Sequence, residues 1–176
     1  MGFYYYKKYF EKAKKITFPV EEREIFKTLK DKDPVLISGW LLCARDTTHK
    51  KLISALKEGS FFFDFKNQAI YYVGPTPAPP GKIIGSAGPT TSVRLDPYVE
   101  FFLNLGIAAT IGKGKRSPEV MKLFERYNAL YLVTFGGAGA FLSQFIFKLE
   151  ILAFPELGPE AFFRIKVRDF PALVVK

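Results

Sequence analysis

The stretch IIGSAGPTTSVRLD, residues 83–96, leads from a short apolar run into a predicted helix over residues 93–105. Its two glycines permit backbone conformations that are closed to other residues, and its hydroxyl side chains at residues 90–92 are candidate helix N-caps. The N-terminus of a helix attracts anions, and Arg94 adds a guanidinium group suited to a carboxylate or a phosphate. The stretch therefore predicts either a capped turn or an anion-binding loop.

Predicted strands and helices alternate on both sides of this stretch. Apolar runs predict strands at residues 34–42, 61–65, 69–73, 107–111 and 129–135, and in the tail at 148–154, 161–170 and 172–175. Two of these strands end in glycine-rich loops, GKGK at residues 112–115 and GGAG at residues 136–139. This order predicts an α/β fold with a mainly parallel sheet, to which the tail adds antiparallel strands.

Cationic and hydroxyl side chains lie at, or soon after, the ends of the predicted strands. They are Arg45, Thr90, Arg94 and Lys113. Because ligands of parallel α/β sheets bind at the carboxyl ends of the strands, we expect these side chains to line one pocket for an anion.

The only histidine and the only cysteine limit the chemistry that the chain can perform alone. A single His49 excludes a catalytic pair of histidines, and it is either a hydrogen-bonded helix residue or part of a substrate site. A single Cys43 excludes an internal disulfide and a self-contained zinc or iron–sulfur site held by cysteines, and it predicts a small buried residue. Neither glycine-rich loop has the spacing of a nucleotide-binding fingerprint.

Composition and charge leave several kinds of partner open. The chain has 176 residues, enough for one domain, and its formal net charge of +9 at pH 7 is compatible with nucleic acid, an acidic partner or an anionic substrate. Residues 1–16 are expected to form an N-terminal basic arm, either a solvated helix or a nucleic-acid contact. Because no apolar run has the length of a membrane span and the start lacks the apolar core of a signal peptide, we expect a cytoplasmic protein with no membrane partner.

Six motifs, in order along the chain, resemble those of one enzyme family. They are ARDTTHKK (44–51), IYYVGPTPAPPG (70–81), IIGSAGPTTSVRLD (83–96), IGKG (111–114) with SPEV (117–120), YLVTFGGAGAFLS (131–143) and LGPEAFFRIKVRDFP (157–171). Over residues 17–175 the chain resembles the β subunit, or C-terminal domain, of class I iron–sulfur hydro-lyases, the family of fumarate hydratase and L-tartrate dehydratase. It departs from the family pattern at Ala44, where a glycine is usual, and at Thr48, where a smaller residue is common.

The resemblance implies a fold, an activity and a partner. The fold is a three-layer β/β/α "swivelling" domain over residues 17–176, with a second sheet beside the mainly parallel one. The activity is the reversible addition of water across the double bond of a small dicarboxylate. The resemblance also implies a 4Fe–4S cluster ligated by a partner α subunit and not by this chain, in a hetero-oligomer of the α2β2 type, so no metal ligand is expected here.

The resemblance also implies a role for each candidate residue. Arg45, Arg94 and Lys113 would bind the carboxylates of the substrate. Thr90 matches the hydroxyl residue suggested as the base, and it would need cations nearby because a threonine hydroxyl is a poor base in water. The residues with supporting roles are Asp46 and His49, which would orient Arg45, and Gly88, Gly112 and Gly114, which would allow close backbone approach to the ligand.

We therefore expect the β subunit of a two-chain fumarate hydratase that needs its α subunit for activity. An L-tartrate dehydratase β subunit is the alternative within the same class. From other classes, a basic nucleic-acid-binding module and a stand-alone anion-binding domain stay open, although no nucleic-acid recognition motif accompanies the basic residues and no nucleic-acid partner is expected.

Overall fold

Seven strands form one hydrogen-bonded sheet in the computed structural model of the chain, which describes residues 8–176. The strands are β1 (Lys14–Phe18), β2 (Pro34–Cys43), β3 (Ala69–Tyr71), β4 (Ala109–Gly112), β5 (Leu130–Val133), β6 (Ile146–Ala153) and β7 (Phe162–Val175). Residues 8–10 are helical, and the α-helices that follow are α1 (Asp46–Lys57), α2 (Asp96–Asn104), α3 (Pro118–Arg126) and α4 (Gly139–Leu142). Short 3₁₀ segments span Arg23–Thr28, Ser92–Leu95, Ser143–Phe145 and Pro155–Glu160. The predicted α/β fold is confirmed.

Strands β1 to β5 lie side by side in chain order, and each pairs in parallel with the next. Helix α1 connects β2 to β3, α2 precedes β4, and α3 connects β4 to β5. Parallel neighbours need such crossover connections, because the chain must return to the same edge of the sheet before each strand begins. The carboxyl ends of β2 to β5 consequently face one edge, as the sequence predicts.

Strand β7 closes the sheet on itself. Its 14 residues pair antiparallel with β2 on one side, and with β6 and then β5 on the other. The pairings β2–β3–β4–β5–β7–β2 therefore form a closed circuit. The prediction of a second, separate sheet is wrong for the described residues. The tail strands are long enough to hydrogen-bond into the same sheet as β2 and β5.

Apolar residues cover both faces of the central strands. Along β2, alternate residues such as Val35, Ile37 and Leu41 belong to the largest core cluster, whereas Leu42 belongs to a second cluster with Leu52 of α1. The face of β2 that carries Leu36, Ser38 and Trp40 is only partly buried, whereas every residue of β3 and β4 is buried. A strand buried on both faces reads as a continuous apolar run, as in the predicted strands at residues 69–73 and 107–111.

Gly39 allows β2 to approach β1 closely. Its φ is +94°, and a Cβ atom built on it would lie 2.1 Å from the carbonyl oxygen of Phe18 in β1. The register of β2 against β7 also shifts between Ile37 and Gly39. A side chain at residue 39 would force the paired strands apart.

The chain before β2 differs in part from the expectation. Residues 1–7 of the predicted basic arm lie outside the described residues, and its last residues form the start of β1, with Lys14 opposite Val35 of β2. No helix among residues 8–176 combines the length and apolar character needed to cross a membrane.

The strand predicted at residues 61–65 is wrong. This segment joins no sheet, although Phe61, Phe63 and Phe65 alternate with more polar or exposed positions in the manner of a strand. Phe65 packs against Phe63, Phe102 and Phe162 with ring centroids 5.0–6.1 Å apart. The alternation therefore reflects an extended segment anchored by its rings on the helical side of the sheet.

Phe65→Ala should lower the free energy of unfolding by about 3–5 kcal/mol, because it empties a ring site that is only 2% exposed. Phe62→Ala is the matched control. Phe62 is 83% exposed, and its loss should cost less than about 0.5 kcal/mol. Urea denaturation of both variants measures the difference, and equal losses would contradict the anchoring of the segment by Phe65.

Candidate functional site

The loops after β2, β3, β4 and β5 meet at the carboxyl edge of the sheet. Arg45 follows β2 as the N-cap of α1, and Lys113 directly follows β4. The loop containing residues 85–92 lies across the end of β3, where Val73 forms a bridge with Pro89. These loops bring the four predicted residues, Arg45, Thr90, Arg94 and Lys113, to the same edge of the sheet. The four residues form two groups, which are connected through the backbone.

Thr90 and Lys113 form the first group. The amide of Thr90 donates to the carbonyl of Tyr72 at 2.7 Å, and the amide of Lys113 donates to the carbonyl of Thr90 at 3.2 Å. The amide of Ser92 in turn donates to the carbonyl of Lys113 at 2.9 Å. Lys113 is therefore held between Thr90 and Ser92 by sheet-like hydrogen bonds. None of the predicted hydroxyl N-caps before α2 accepts a capping bond through its side chain.

Glycines allow the loops of this edge to pack against each other. A Cβ atom on Gly112 would lie 2.0 Å from Ser92 Oγ, and one on Gly139 would lie 2.7 Å from the amide nitrogen of Gly88. Gly114 has a φ of +81°, a conformation that residues with side chains rarely adopt. Gly112 and Gly139 thus permit close approach between loops, whereas a Cβ atom on Gly88 would lie at an ordinary 3.5 Å from Gly139. The predicted closeness of Gly88, Gly112 and Gly114 to a ligand stays a prediction.

Arg94 and Asp46 form an ion pair in the second group. Arg94 Nη2 donates to Asp46 Oδ2 at 3.0 Å, and the Arg94 side chain is 54% exposed. Asp46 was expected to orient Arg45, but its carboxylate holds Arg94. Because Arg94 is more than half exposed, a ligand carboxylate can reach its guanidinium group from solvent.

Arg45 lies close to both the backbone of Gly74 and the carboxylate of Glu160. A Cβ atom on Gly74 would come within 2.4 Å of Arg45 Nη1. Arg45 Nε lies 3.6 Å from Glu160 Oε1. Arg45 Nε is buried and has no hydrogen-bond partner among the described residues.

His49 supports Arg45 through the backbone. Its Nδ1 lies 2.7 Å from the Arg45 carbonyl oxygen, and because a carbonyl only accepts, Nδ1 must carry the proton. Burial lowers the pKa of His49 to about 4, against the opposing effects of the Arg45 carbonyl and Asp46, and Arg116 lowers it further. His49 is therefore neutral at pH 7, and it holds the turn below Arg45 without contacting its guanidinium group.

Arg116 is a buried residue of this region that the sequence does not reveal. It donates to the Ser92 carbonyl at 3.3 Å and to the Tyr72 hydroxyl at 2.7 Å, and it pairs with Asp96. These contacts connect the loop before α2 to the strands behind it. Glu160 was also missed, although it lies within the motif LGPEAFFRIKVRDFP at residues 157–171.

The site has the charge pattern of an anion-binding site. Arg45 and Arg94 each face one carboxylate, whereas no carboxylate among residues 8–176 pairs with Lys113. Lys113 lies beside the glycine-rich loop after β5, with its Cδ 3.3 Å from a Cβ atom built on Gly136. Two guanidinium groups and one ammonium group offer charged donors to the carboxylates of a small dianion.

The residues of this chain do not fit as ligands of an iron–sulfur cluster. Cys43 is buried in the core, where burial raises the pKa of its thiol well above the usual value. Within the described part of the chain, no three His, Cys, Asp or Glu side chains form a group that could hold a metal ion.

Comparison with known proteins gives a family match and several relatives. The Fumarase C-terminus family matches residues 4–176, so the match extends into the predicted N-terminal arm. The chain is 40% identical over 144 residues to fumarate hydratase 2 of Leishmania major, which covers 80% of this chain and 25% of that protein. It is 38% identical over 142 residues to the anaerobic class I fumarate hydratase of Escherichia coli K12, covering 79% and 26%.

Another relative is similar to the chain over most of both lengths. A Methanocaldococcus jannaschii protein, provisionally named L(+)-tartrate dehydratase subunit beta, is 36% identical over 165 residues, which cover 90% of this chain and 85% of that protein. By contrast, the chain spans about a quarter of the length of the fumarate hydratases described above.

The neutral state of His49 predicts a pH dependence of stability. Between pH 6.5 and about 4, His49 is protonated in the unfolded chain but not in the folded chain. Its full contribution to the free energy of unfolding is therefore present above pH 6.5, and it is lost as the pH falls through this range. Lowering the pH from 7 to 5 should reduce the free energy of unfolding by about 2 kcal/mol through His49. His49→Gln can still donate to the Arg45 carbonyl but does not titrate, so its free energy of unfolding should fall less over the same interval. Equal losses in both proteins would exclude His49 as the origin.

Proposed function

The chain belongs to the Fumarase C-terminus family, and on that premise we propose that it is the β subunit of a two-chain hydro-lyase that reversibly hydrates fumarate to malate. The observation that carries the proposal is the meeting of Arg45, Arg94, Thr90 and Lys113 at one edge of the sheet. Three cations and a hydroxyl group at one edge suit a small dicarboxylate. The reaction in this proposal is inferred from the family, and the residues that would take part in it are inferred from the geometry.

In this proposal, the cations bind the two carboxylates of the substrate. Lys113 has no carboxylate partner among residues 8–176, so its ammonium group is available to a ligand. Arg94 is exposed enough to exchange Asp46 for a substrate carboxylate. Arg45, held between Gly74 and Glu160, would present the remaining face of its guanidinium group.

Thr90 is the proposed base at the carbon that gains or loses a proton. Cations nearby stabilise the alkoxide of a hydroxyl group relative to its neutral form. The hydrogen bond from the Lys113 amide to the Thr90 carbonyl keeps the two residues adjacent, which supports this assignment.

The proposed partner is an α subunit that holds the 4Fe–4S cluster. Cys43 is buried and the described residues include no candidate ligand group, so the cluster would be held by residues outside this sequence, which this proposal assigns to the α subunit. The word "beta" in the name of the M. jannaschii relative supports a divided enzyme. An α2β2 assembly and a cytoplasmic location belong to the same proposal.

Dehydration of L-tartrate to oxaloacetate is the second candidate. The M. jannaschii relative favours this candidate, because that protein is named as a tartrate dehydratase subunit and the match covers 85% of its length. Tartrate differs from malate by one hydroxyl group, and the cationic residues of this site bind carboxylates, which the two substrates share.

The activity can be tested by producing the chain together with its α partner and reconstituting the assembly anaerobically with iron and sulfide. We expect loss of the ultraviolet absorbance of fumarate, and malate as the product. Turnover of L-tartrate without turnover of fumarate would replace the first candidate by the second. An intact assembly that is inactive on both would overturn the proposal.

Arg94→Ala should lower kcat/KM of the assembly about 100-fold, because it removes a charge-assisted contact to the substrate. The melting temperature should change little, since the ion pair with Asp46 is partly exposed. Arg126→Ala, at the exposed end of α3, is the control and should keep wild-type kinetics. If Arg94→Ala keeps the wild-type kcat/KM, the proposed contact between Arg94 and the substrate is wrong.

A further inference from the structure

Glu160 contacts the first turn of α1 and the side chain of Arg45 at the same time. Its Oε2 accepts a hydrogen bond from the amide of Thr47 at 3.1 Å, and its Oε1 lies 3.6 Å from Arg45 Nε. Its carbonyl oxygen also accepts from Thr48 Oγ1 at 2.5 Å. Both carboxylate oxygens therefore face a donor, one on the backbone of the helix and one on the arginine.

Glu160 lies between a tight turn and a buried strand. It ends the 3₁₀ segment Pro155–Glu160, in which Gly158 has a φ of +55°, and β7 begins two residues later at Phe162, which is fully buried. A carboxylate anchored between a tight turn and a core strand can act as a fixed support, because its own backbone has little freedom to move.

The Arg45 side chain also packs closely against Gly74. A Cβ atom on Gly74 would lie 2.4 Å from Arg45 Nη1 and 2.7 Å from its Cδ, so Arg45 occupies the space that a side chain at residue 74 would need. Arg45 Nε is buried without a hydrogen-bond partner, while 27% of the side-chain surface stays exposed. The surface that a ligand can reach therefore belongs to other atoms of the side chain, and Glu160 is the carboxylate that faces the buried nitrogen.

We propose that Glu160 is a positioning residue, which fixes the Arg45 guanidinium group in the orientation that receives a substrate carboxylate. A small closure of the 3.6 Å gap would give Arg45 Nε its hydrogen bond. This role needs two acceptor oxygens on one side chain. Glutamine has one, so it can serve the helix or the arginine but not both. The inference rests on the proposed function for the identity of the anion.

Two other roles for Glu160 make different predictions. A residue that only caps α1 would affect stability and leave substrate affinity unchanged. A residue that competes with the substrate for Arg45 would weaken binding, so its removal would lower KM. A positioning residue improves binding of the ground state and the transition state alike, so its removal should raise KM and leave kcat almost unchanged.

The kinetic test uses the assembled enzyme with fumarate or L-tartrate, whichever it turns over. Glu160→Gln should raise KM about tenfold and change kcat less than about twofold. Glu160→Asp keeps the charge and both oxygens, and it should recover part of the lost affinity. The matched control is Glu156→Gln in the same 3₁₀ segment, which removes an exposed ion pair with Lys51 and should leave KM and kcat unchanged.

A second measurement does not depend on activity. The ¹⁵N–¹H signal of Arg45 Nε, assigned by its loss in Arg45→Lys, should exchange with solvent slowly in the wild-type chain. In Glu160→Gln it should exchange at least about tenfold faster, and in Glu156→Gln at the wild-type rate.

The outcomes separate this inference from the proposed function. An assembly inactive on both diacids would overturn the proposed function, whereas the Nε signal would still report on the contact between Glu160 and Arg45. An unchanged Nε signal, a lowered KM, or an unchanged KM with a lower melting temperature would each overturn the positioning role.

Discussion

Backbone hydrogen bonds that continue the sheet beyond β3 and β4 hold the candidate site together. The amide of Tyr72 donates to the Ile111 carbonyl, that of Thr90 to the Tyr72 carbonyl, and that of Lys113 to the Thr90 carbonyl. Because these bonds extend the ladder of the sheet, Thr90 and Lys113 are placed by the rigid core of the fold. Sites built on such elements are held more accurately than sites on free loops. Arg116 adds a support from behind through Ser92 and Tyr72.

The second constraint is the repulsion among the cations gathered at this edge. Like charges at one end of a sheet repel each other, and the repulsion is strongest where water is partly excluded. Asp46 offsets the charge of Arg94, and Glu160 that of Arg45. Both carboxylates come from segments that also shape α1, since Asp46 begins the helix and Glu160 accepts from its first turn. The charge compensation of Arg45 and Arg94 and the formation of this helix therefore depend on the same contacts.

The strands that the sequence predicts best are those with continuous apolar runs. Pro34–Cys43 and Leu130–Val133 lie within a few residues of the expected ranges, because a continuous apolar run has few other ways to be buried. The segment at residues 61–65 has an equally strand-like pattern but finds no partner strand. Of the three strands expected in the tail, the last two, at residues 161–170 and 172–175, form one strand, β7, because the ladder with β2 continues through Pro171, opposite Leu36.

Within the site, the sequence by itself determined which residues stand at the strand ends: Arg45, Thr90, Arg94 and Lys113 follow directly from the order of apolar runs and loops. Only the tertiary structure decided their partners. Asp46 holds Arg94 where the sequence suggested Arg45, and Glu160 reaches Arg45 from a segment more than a hundred residues away along the chain. Local sequence patterns depend on neighbours a few residues apart. The closure of the sheet by β7 brings the distant segment before it to α1, and no local pattern encodes that contact.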